Sequence, residues 1–207
     1  MDRTVDLYLI RHSITAANKE KRYLGWTDVP LLDEGKRELC FILPSLPDKC
    51  DRVYSSDLQR CVETAFLLFP NCSVYQTSQL REIHFGDWEL CTFQEVEHRS
   101  DYNEWLQSPD SFHPNNGESY EAFRLRVSEW LKALLHLLSC EEKIVSTAVI
   151  THGGPLREII YRLHSSSSSP WEWHCQPGEG YKLTITKKED DKWILLQVES
   201  IMAKGSG

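Results

Sequence analysis

Five side chains of this chain have the types and placement to handle a phosphate group: Arg11, His12, Arg60, Glu82 and His152. A phosphate dianion needs several donors and positive charge around it. Arginine suits this task because its planar fork makes paired bonds to phosphate oxygens and stays charged. Arg11 lies beside His12 where an apolar run ends. Arg60 falls in the first turn of an amphipathic segment, and helix N-termini attract anions. His152 is followed by Gly153-Gly154-Pro155, which lets a ligand approach the backbone and opens a helix. A histidine with a free ring nitrogen among such donors can attack phosphorus and split one hard step into two easier ones. The departing alkoxide needs a proton, and Glu82 is the candidate acid. Taken one at a time, each residue reads equally well as an ordinary core or surface group.

The elements that must position these residues alternate between strand and helix. Residues 5–10 (VDLYLI) read as a buried strand running into Arg11-His12, and residues 144–151 as another running into His152. Residues 51–55 and 73–76 suggest two shorter strands. Leu58, Cys61, Val62, Ala65, Phe66 and Phe69 recur at offsets 0, 3, 4, 7, 8 and 11, predicting a helix with Asp57 as N-cap. A helix is expected over 33–43, capped by Asp33 and stopped by Pro44. The strongest helical stripe is Tyr120, Phe123, Val127, Trp130, Leu131, Leu134 and Leu138, predicting a helix over 118–138. A further helix is expected over 155–163. Residues 181–186 and 193–199 read as a terminal hairpin. This order predicts an α/β fold: a three-layer α/β/α sandwich with a mostly parallel central sheet. In such sheets ligands bind beyond the carboxyl ends of the strands, where both histidines fall.

One domain is expected over 1–204, with a cap-like insertion at about 80–117 and a tail at 205–207. The serines at 165–169 read as a flexible loop. With 23 Lys and Arg against 31 Asp and Glu, the net charge is −8. That excess argues against nucleic acid and anionic membranes as partners, leaving a small phosphorylated metabolite in a locally basic pocket. No leader is visible, and no run approaches the ~20 apolar residues that span a bilayer. Seven cysteines, an odd number without metal-like spacing, read as small buried apolar residues in a reducing, cytoplasmic setting.

Five blocks resemble one known family, the histidine phosphatase superfamily, also called phosphoglycerate-mutase-like. Leu9-Ile10-Arg11-His12-Ser13 through Asn18 is similar to its RHG signature. Gly25-Trp26-Thr27-Asp28-Val29-Pro30-Leu31 is similar to its GWxDxPL stretch. Ser55-Ser56-Asp57-Leu58, Arg60 and Thr64-Ala65 resemble its SSDLxRxxxTA block. Leu80-Arg81-Glu82-Ile83 with Phe85-Gly86-Asp87-Trp88-Glu89 resembles its LxExxFGxWE block, and Thr151-His152-Gly153-Gly154 with Leu156-Arg157 its second-histidine block. The resemblance implies phosphoryl transfer with no metal and no cofactor. By position, His12 would be the nucleophile. Arg11, Arg60 and His152 would hold the phosphoryl group, and Glu82 would serve as acid and then base. Asn18 and Gly153 would be supporting contacts, Gly25 would border the site and Arg22 would add charge at its mouth. Ser13 stands where the family has Gly, at a bend that favours Gly, and its hydroxyl is placed to reach a phosphate. THGGPLR and FGDWE look more like the phosphatase branch, and within it like the α-ribazole-5′-phosphate phosphatases, than like the mutases. A phosphoglycerate mutase, a broad-specificity sugar or metabolite phosphatase and a non-catalytic phosphate-binding module are the alternatives. A homodimer is one expected state. An aromatic wall for a nucleoside-like leaving group is available in Trp88, Tyr102, Trp105, Trp171 and Trp173.

Overall fold

The computed structural model describes residues 3–164, 169–189 and 192–202. In chain order the elements are β1 (Arg3–Arg11), α1 (Ala16–Lys19), α2 (Asp33–Glu38), β2 (Arg52–Ser56), α3 (Gln59–Leu68), β3 (Val74–Thr77), α4 (Phe93–Val96), α5 (Ser100–Gln107), α6 (Tyr120–Cys140), β4 (Ser146–Thr151), α7 (Gly153–Leu163), β5 (Gly180–Lys187) and β6 (Trp193–Ile201). They form one six-stranded sheet in the order β3-β2-β4-β1-β5-β6. Strands β3, β2, β4 and β1 run parallel, and the β5–β6 hairpin adds antiparallel beside β1.

Strand alternation divides the core between the two faces of the sheet. On β1, Leu7 and Leu9 pack with Phe123, Val127, Leu131 and Leu134 of α6 and Ile159 and Ile160 of α7. Tyr8 and Ile10 point the other way, onto Leu39, Ile42, Cys61, Ala65 and Leu68. On β4 the partition repeats, with Val149 on the α6–α7 face and Ala148 and Ile150 on the α3 face. Full burial of each such side chain is worth about 1.5–3 kcal/mol, so neither face can be left bare. A third, small cluster of Trp88, Val96 and Tyr102, flanked by Tyr23, Phe85 and Trp105, forms within the 80–117 segment.

Several expected boundaries shift for local reasons. The helix expected over 33–43 stays α-helical only to Glu38 and then tightens into 3-10 turns at Leu39–Phe41 and Leu43–Ser45, with Pro44 inside the second. Asp57 does not cap α3, whose N-cap is Leu58. Its carboxylate instead grips Arg81 with two bonds of 2.7 Å, a bidentate pair stronger than a cap bond. Helix α6 starts two residues later than expected because the Ser119 hydroxyl takes the Ala122 N–H and fixes its first turn. Helix α7 starts two residues earlier than expected, at Gly153, with Pro155 in the first turn, where no intrahelical N–H is required. The short helix α1 carries too few apolar positions to show a period. Among the cysteines, Cys50, Cys61 and Cys175 are buried as expected, but Cys40 and Cys140 are exposed; all seven are free thiols. Residues 165–168 of the serine loop and the 205–207 tail lie outside the described residues. Among the described residues, no helix is long and apolar enough to cross a membrane.

Candidate active site

Strands β1 and β4 are parallel neighbours in register, with Arg11 opposite Thr151. The residue following each strand is a histidine, so His12 and His152 emerge side by side at the carboxyl edge. The His12 N–H continues the ladder to the Thr151 carbonyl at 2.8 Å. The two rings meet edge-on, with centroids 5.1 Å apart. Both are buried, at 3% and 1% exposure.

Hydrogen bonds fix the state of each ring. His12 Nδ1 lies 2.7 Å from the Ser13 carbonyl, which only accepts, so Nδ1 carries the proton and Nε2 keeps its lone pair. Burial, reinforced by the charges of Arg60 and Arg11, holds the His12 pKa well below its ordinary value. The ring is therefore neutral and nucleophilic at neutral pH. His152 Nδ1 accepts from Arg60 Nε at 3.3 Å, and its Nε2 meets the Ser56 hydroxyl at 2.9 Å. Burial and the charges of Arg60 and Arg11 also keep it neutral.

Both arginines are buried or nearly so, and neither has a carboxylate within ion-pair reach among the described residues. Arg60 is fully buried. Its Nη1 donates to the Thr27 carbonyl at 2.9 Å and its Nη2 to the Gly25 carbonyl at 2.6 Å. Arg11 Nη1 donates to the Cys175 carbonyl at 2.7 Å, while its Nε is buried with no partner. Burial lowers the pKa of both guanidinium groups, and nearby negative groups, Glu82 among them, work against that. Two guanidinium groups and a buried N–H without a partner, gathered with a neutral imidazole, make a socket suited to an anion. The Gly153 backbone closes it: a Cβ there would stand 3.7 Å from Arg11 Nε.

Glu82 borders this socket. Its carboxylate accepts from the Gly154 N–H at 2.9 Å and the Ile83 N–H at 3.0 Å. A Cβ on Gly154 would come within 2.1 Å of Glu82 Oε1, so any other residue there would push the carboxyl group out of its place. Glu82 also lines a cavity of about 320 Å³ walled by Tyr23, Phe85, Trp105, Tyr120, Phe123 and Trp171, with Arg157 at one side. The carboxyl group thus stands between the anion socket and an aromatic chamber.

The structure brings Arg11, His12, Arg60, Glu82, His152 and Gly153 together, and it places the other expected residues differently. Asn18 Oδ1 accepts from the Thr15 N–H and hydroxyl at 3.1 and 2.9 Å, capping α1 and leaving its NH₂ end uncommitted. Gly25 acts through its carbonyl, behind Arg60. Arg22 pairs with Glu20 at 2.6 Å and donates to the Leu90 carbonyl at 2.7 Å, outside the socket. Ser13 adopts no left-handed backbone, so glycine is not required at its position; the non-glycine residues with positive φ are Lys21, Leu90 and Asn116. Its hydroxyl donates to the Gly35 carbonyl at 2.9 Å, which takes it away from any phosphate. Of the expected aromatic wall, Trp105 and Trp171 line the chamber, whereas Trp88 and Tyr102 are buried behind it and Trp173 packs on His164 and Tyr181. Ser56, Tyr120, Phe123 and Arg157 were not singled out by sequence reasoning. Ser56 and Arg157 stood inside the quoted blocks, but Tyr120 and Phe123 read as core stripe.

The buried neutral histidines also set an acid limit on stability. The unfolded chain takes up protons at both imidazoles below about pH 6.5, and the native state resists them. The stability present above pH 6.5 is therefore lost as pH falls toward the depressed native values, by up to about 1.4 kcal/mol per pH unit for each ring. Urea unfolding between about pH 7.5 and 5 checks this. The His152→Gln variant is expected to show the shallower slope; an equal slope would contradict the assignment.

The histidine phosphatase superfamily (branch 1) matches residues 7–200. The adenosylcobalamin/alpha-ribazole phosphatase of Salmonella typhimurium (strain LT2) is 31% identical over 180 residues, covering 83% of this chain and 86% of the relative. Phosphoglycerate mutase-like protein 4 of Arabidopsis thaliana is 30% identical over 78% of this chain and 72% of its own. The crystal structure of the alpha-ribazole phosphatase from Shigella flexneri superposes with a TM-score of 0.82 at 26% identity, covering 98% of this chain and all of that one. With two neutral histidines, two buried arginines and one carboxyl group gathered at the strand ends that the family pattern marks, the chain belongs to the histidine phosphatase superfamily.

Proposed function

We propose that the protein hydrolyses a small phosphate monoester through a phosphohistidine on His12, and that α-ribazole 5′-phosphate or an ester of that kind is the substrate. The observation that carries this is a neutral His12 with its Nε2 lone pair free, gathered with the Arg60 guanidinium and with Arg11, whose Nε is buried without a partner, and Glu82 standing between them and the aromatic chamber. The lone pair attacks phosphorus, and the ester P–O bond breaks. Protonated Glu82 gives its proton to the departing alkoxide. The Nδ1–H bond to the Ser13 carbonyl spreads the positive charge that the ring gains. In the second half, the Glu82 carboxylate takes a proton from water, the oxygen attacks phosphorus, and the N–P bond breaks. Phosphate leaves and His12 is neutral again. Arg11, Arg60 and the Gly153 N–H hold the non-bridging oxygens and stabilise charge that grows in the transition state, and His152 positions Arg60 through the bond at its Nδ1.

The chamber supports the substrate class. Its lining offers stacking faces and few donors for a hydroxyl-rich group, so a flat heterocycle gains where a sugar or amino acid does not. We expect p-nitrophenyl phosphate to turn over with EDTA present and an acid-labile phosphoenzyme to be trapped on rapid quenching. In a panel ranked by kcat/KM, α-ribazole 5′-phosphate should exceed phosphoserine, 3-phosphoglycerate and glucose 6-phosphate by about 10-fold or more. A flat ranking would reject the substrate, and a missing phosphoenzyme would reject the mechanism.

A further inference from the structure

Arg60 presents a physical problem. It is a charged side chain at 0% exposure with no carboxylate in ion-pair reach among the described residues, held by two carbonyls, those of Gly25 and Thr27. Those carbonyls belong to a loop, and a loop must itself be fixed before it can fix anything else. The N–H groups of Gly25, Trp26 and Thr27 turn the other way, onto Glu89. Its Oε2 accepts from Gly25 and Thr27, each at 3.1 Å, and its Oε1 from Trp26 at 2.8 Å. A fourth bond, from the Phe85 N–H at 3.0 Å, ties in the segment that follows Glu82. The Gly25–Trp26 peptide thus sits between an anion and a cation, with its N–H on Glu89 and its carbonyl on Arg60. The fit leaves no slack: a Cβ on Gly25 would stand 2.3 Å from Glu89 Oε1 and 2.2 Å from the Ile83 carbonyl. The loop also reaches the acid, because the Trp26 indole N–H donates to the Glu82 carbonyl at 2.9 Å. Trp26 is in turn held by the Arg81 guanidinium 4.8 Å from its ring.

We propose that Glu89 is a positioning residue of the phosphate socket. It touches no reacting atom. It holds the 25–27 loop so that two carbonyls fix the Arg60 fork, and it sets Trp26, and through it the Glu82 backbone, on the same support. Four backbone N–H groups on one carboxylate is the full acceptor complement of that group, so a neutral amide cannot replace it: the NH₂ end would face an N–H. The proposal rests on the phosphatase reading, but its effect on the socket is measurable by anion binding alone.

The test uses the full chain with Glu89→Gln and Glu89→Asp, each also combined with Arg60→Ala, and each checked for cooperative thermal unfolding. Inorganic vanadate binding and p-nitrophenyl phosphate turnover are read on every variant. Glu89→Gln is expected to lose about 10–100-fold in kcat/KM and a similar factor in vanadate affinity, with Glu89→Asp between it and the parent. In the Arg60→Ala background the Glu89→Gln change is expected to shrink to about twofold, because its route of action is already gone. A Glu89→Gln loss of the same size in both backgrounds overturns the proposal in favour of a general structural role, as does loss of folding in both single variants. An effect within twofold on vanadate and turnover also overturns it. If the parent binds vanadate through Arg60 but hydrolyses no ester, the phosphatase reading fails while the vanadate cycle still decides the role of Glu89.

Discussion

His12→Ala is expected to abolish turnover, with kcat on p-nitrophenyl phosphate falling by about 10⁴-fold or more. The size follows from the role. Removing the nucleophile removes the covalent route, and the socket that remains can only bind. The structure supplies three reasons why no neighbouring group takes over. His152 Nε2 is engaged with the Ser56 hydroxyl and its Nδ1 with Arg60. Burial pushes the Cys61 thiol, beside His152, up out of the range where a thiolate forms. The Ser13 hydroxyl is bonded to Gly35. Vanadate affinity separates this from unfolding: the variant should retain Arg60-dependent anion binding and yield no phosphoenzyme. Turnover within about 10-fold of the parent would mean that another group attacks phosphorus.

Glu82→Gln carries the second large effect, a loss of about 10²–10⁴-fold that depends on the leaving group. An alkyl ester needs its oxygen protonated as the P–O bond breaks, whereas p-nitrophenolate leaves without help. The variant should therefore lose far more on an alkyl ester such as α-ribazole 5′-phosphate than on the aryl ester. The amide keeps an acceptor for the Gly154 N–H and gives up only the bond from Ile83, so the side chain keeps its place beside the socket. On the aryl ester the first step should survive and dephosphorylation should become limiting, because the amide cannot take a proton from water. A burst of p-nitrophenol followed by slow release of phosphate is the expected record. Equal losses on both esters with no burst would assign Glu82 to binding.

The sequence carried the chemistry in its contiguous blocks. Arg11-His12 and His152-Gly153-Gly154 each follow an apolar run, and the alternation of such runs with helical patterns puts both at strand ends. The parallel architecture then places such ends on one edge, so the two histidines were legible as partners before any coordinates. Arg60 and Glu82 were legible from the same blocks, as residue types in a pattern.

Other features depended on relations between distant segments. That His12 and His152 are adjacent required β1 and β4 to be immediate neighbours, a pairing 140 residues apart that no local preference encodes. Asp57 looked like a helix cap, and a better partner, Arg81, arrived from another element. Arg22 read as a mouth residue and was taken by Glu20 and Leu90. Tyr120 and Phe123 showed only a helical stripe, yet the stripe ends at a chamber, because the 80–117 segment rises over it and leaves space. Glu89 closes the FGDWE block, and the block gives it no role. Its function exists only where four backbone N–H groups converge, and backbone direction is not written in residue type. The sequence by itself determined which side chains and strand ends take part, since periodicity and side-chain chemistry are local. The tertiary structure alone decided how each charge is oriented and what lies behind it, since burial and hydrogen-bond partners come from segments far apart in the chain.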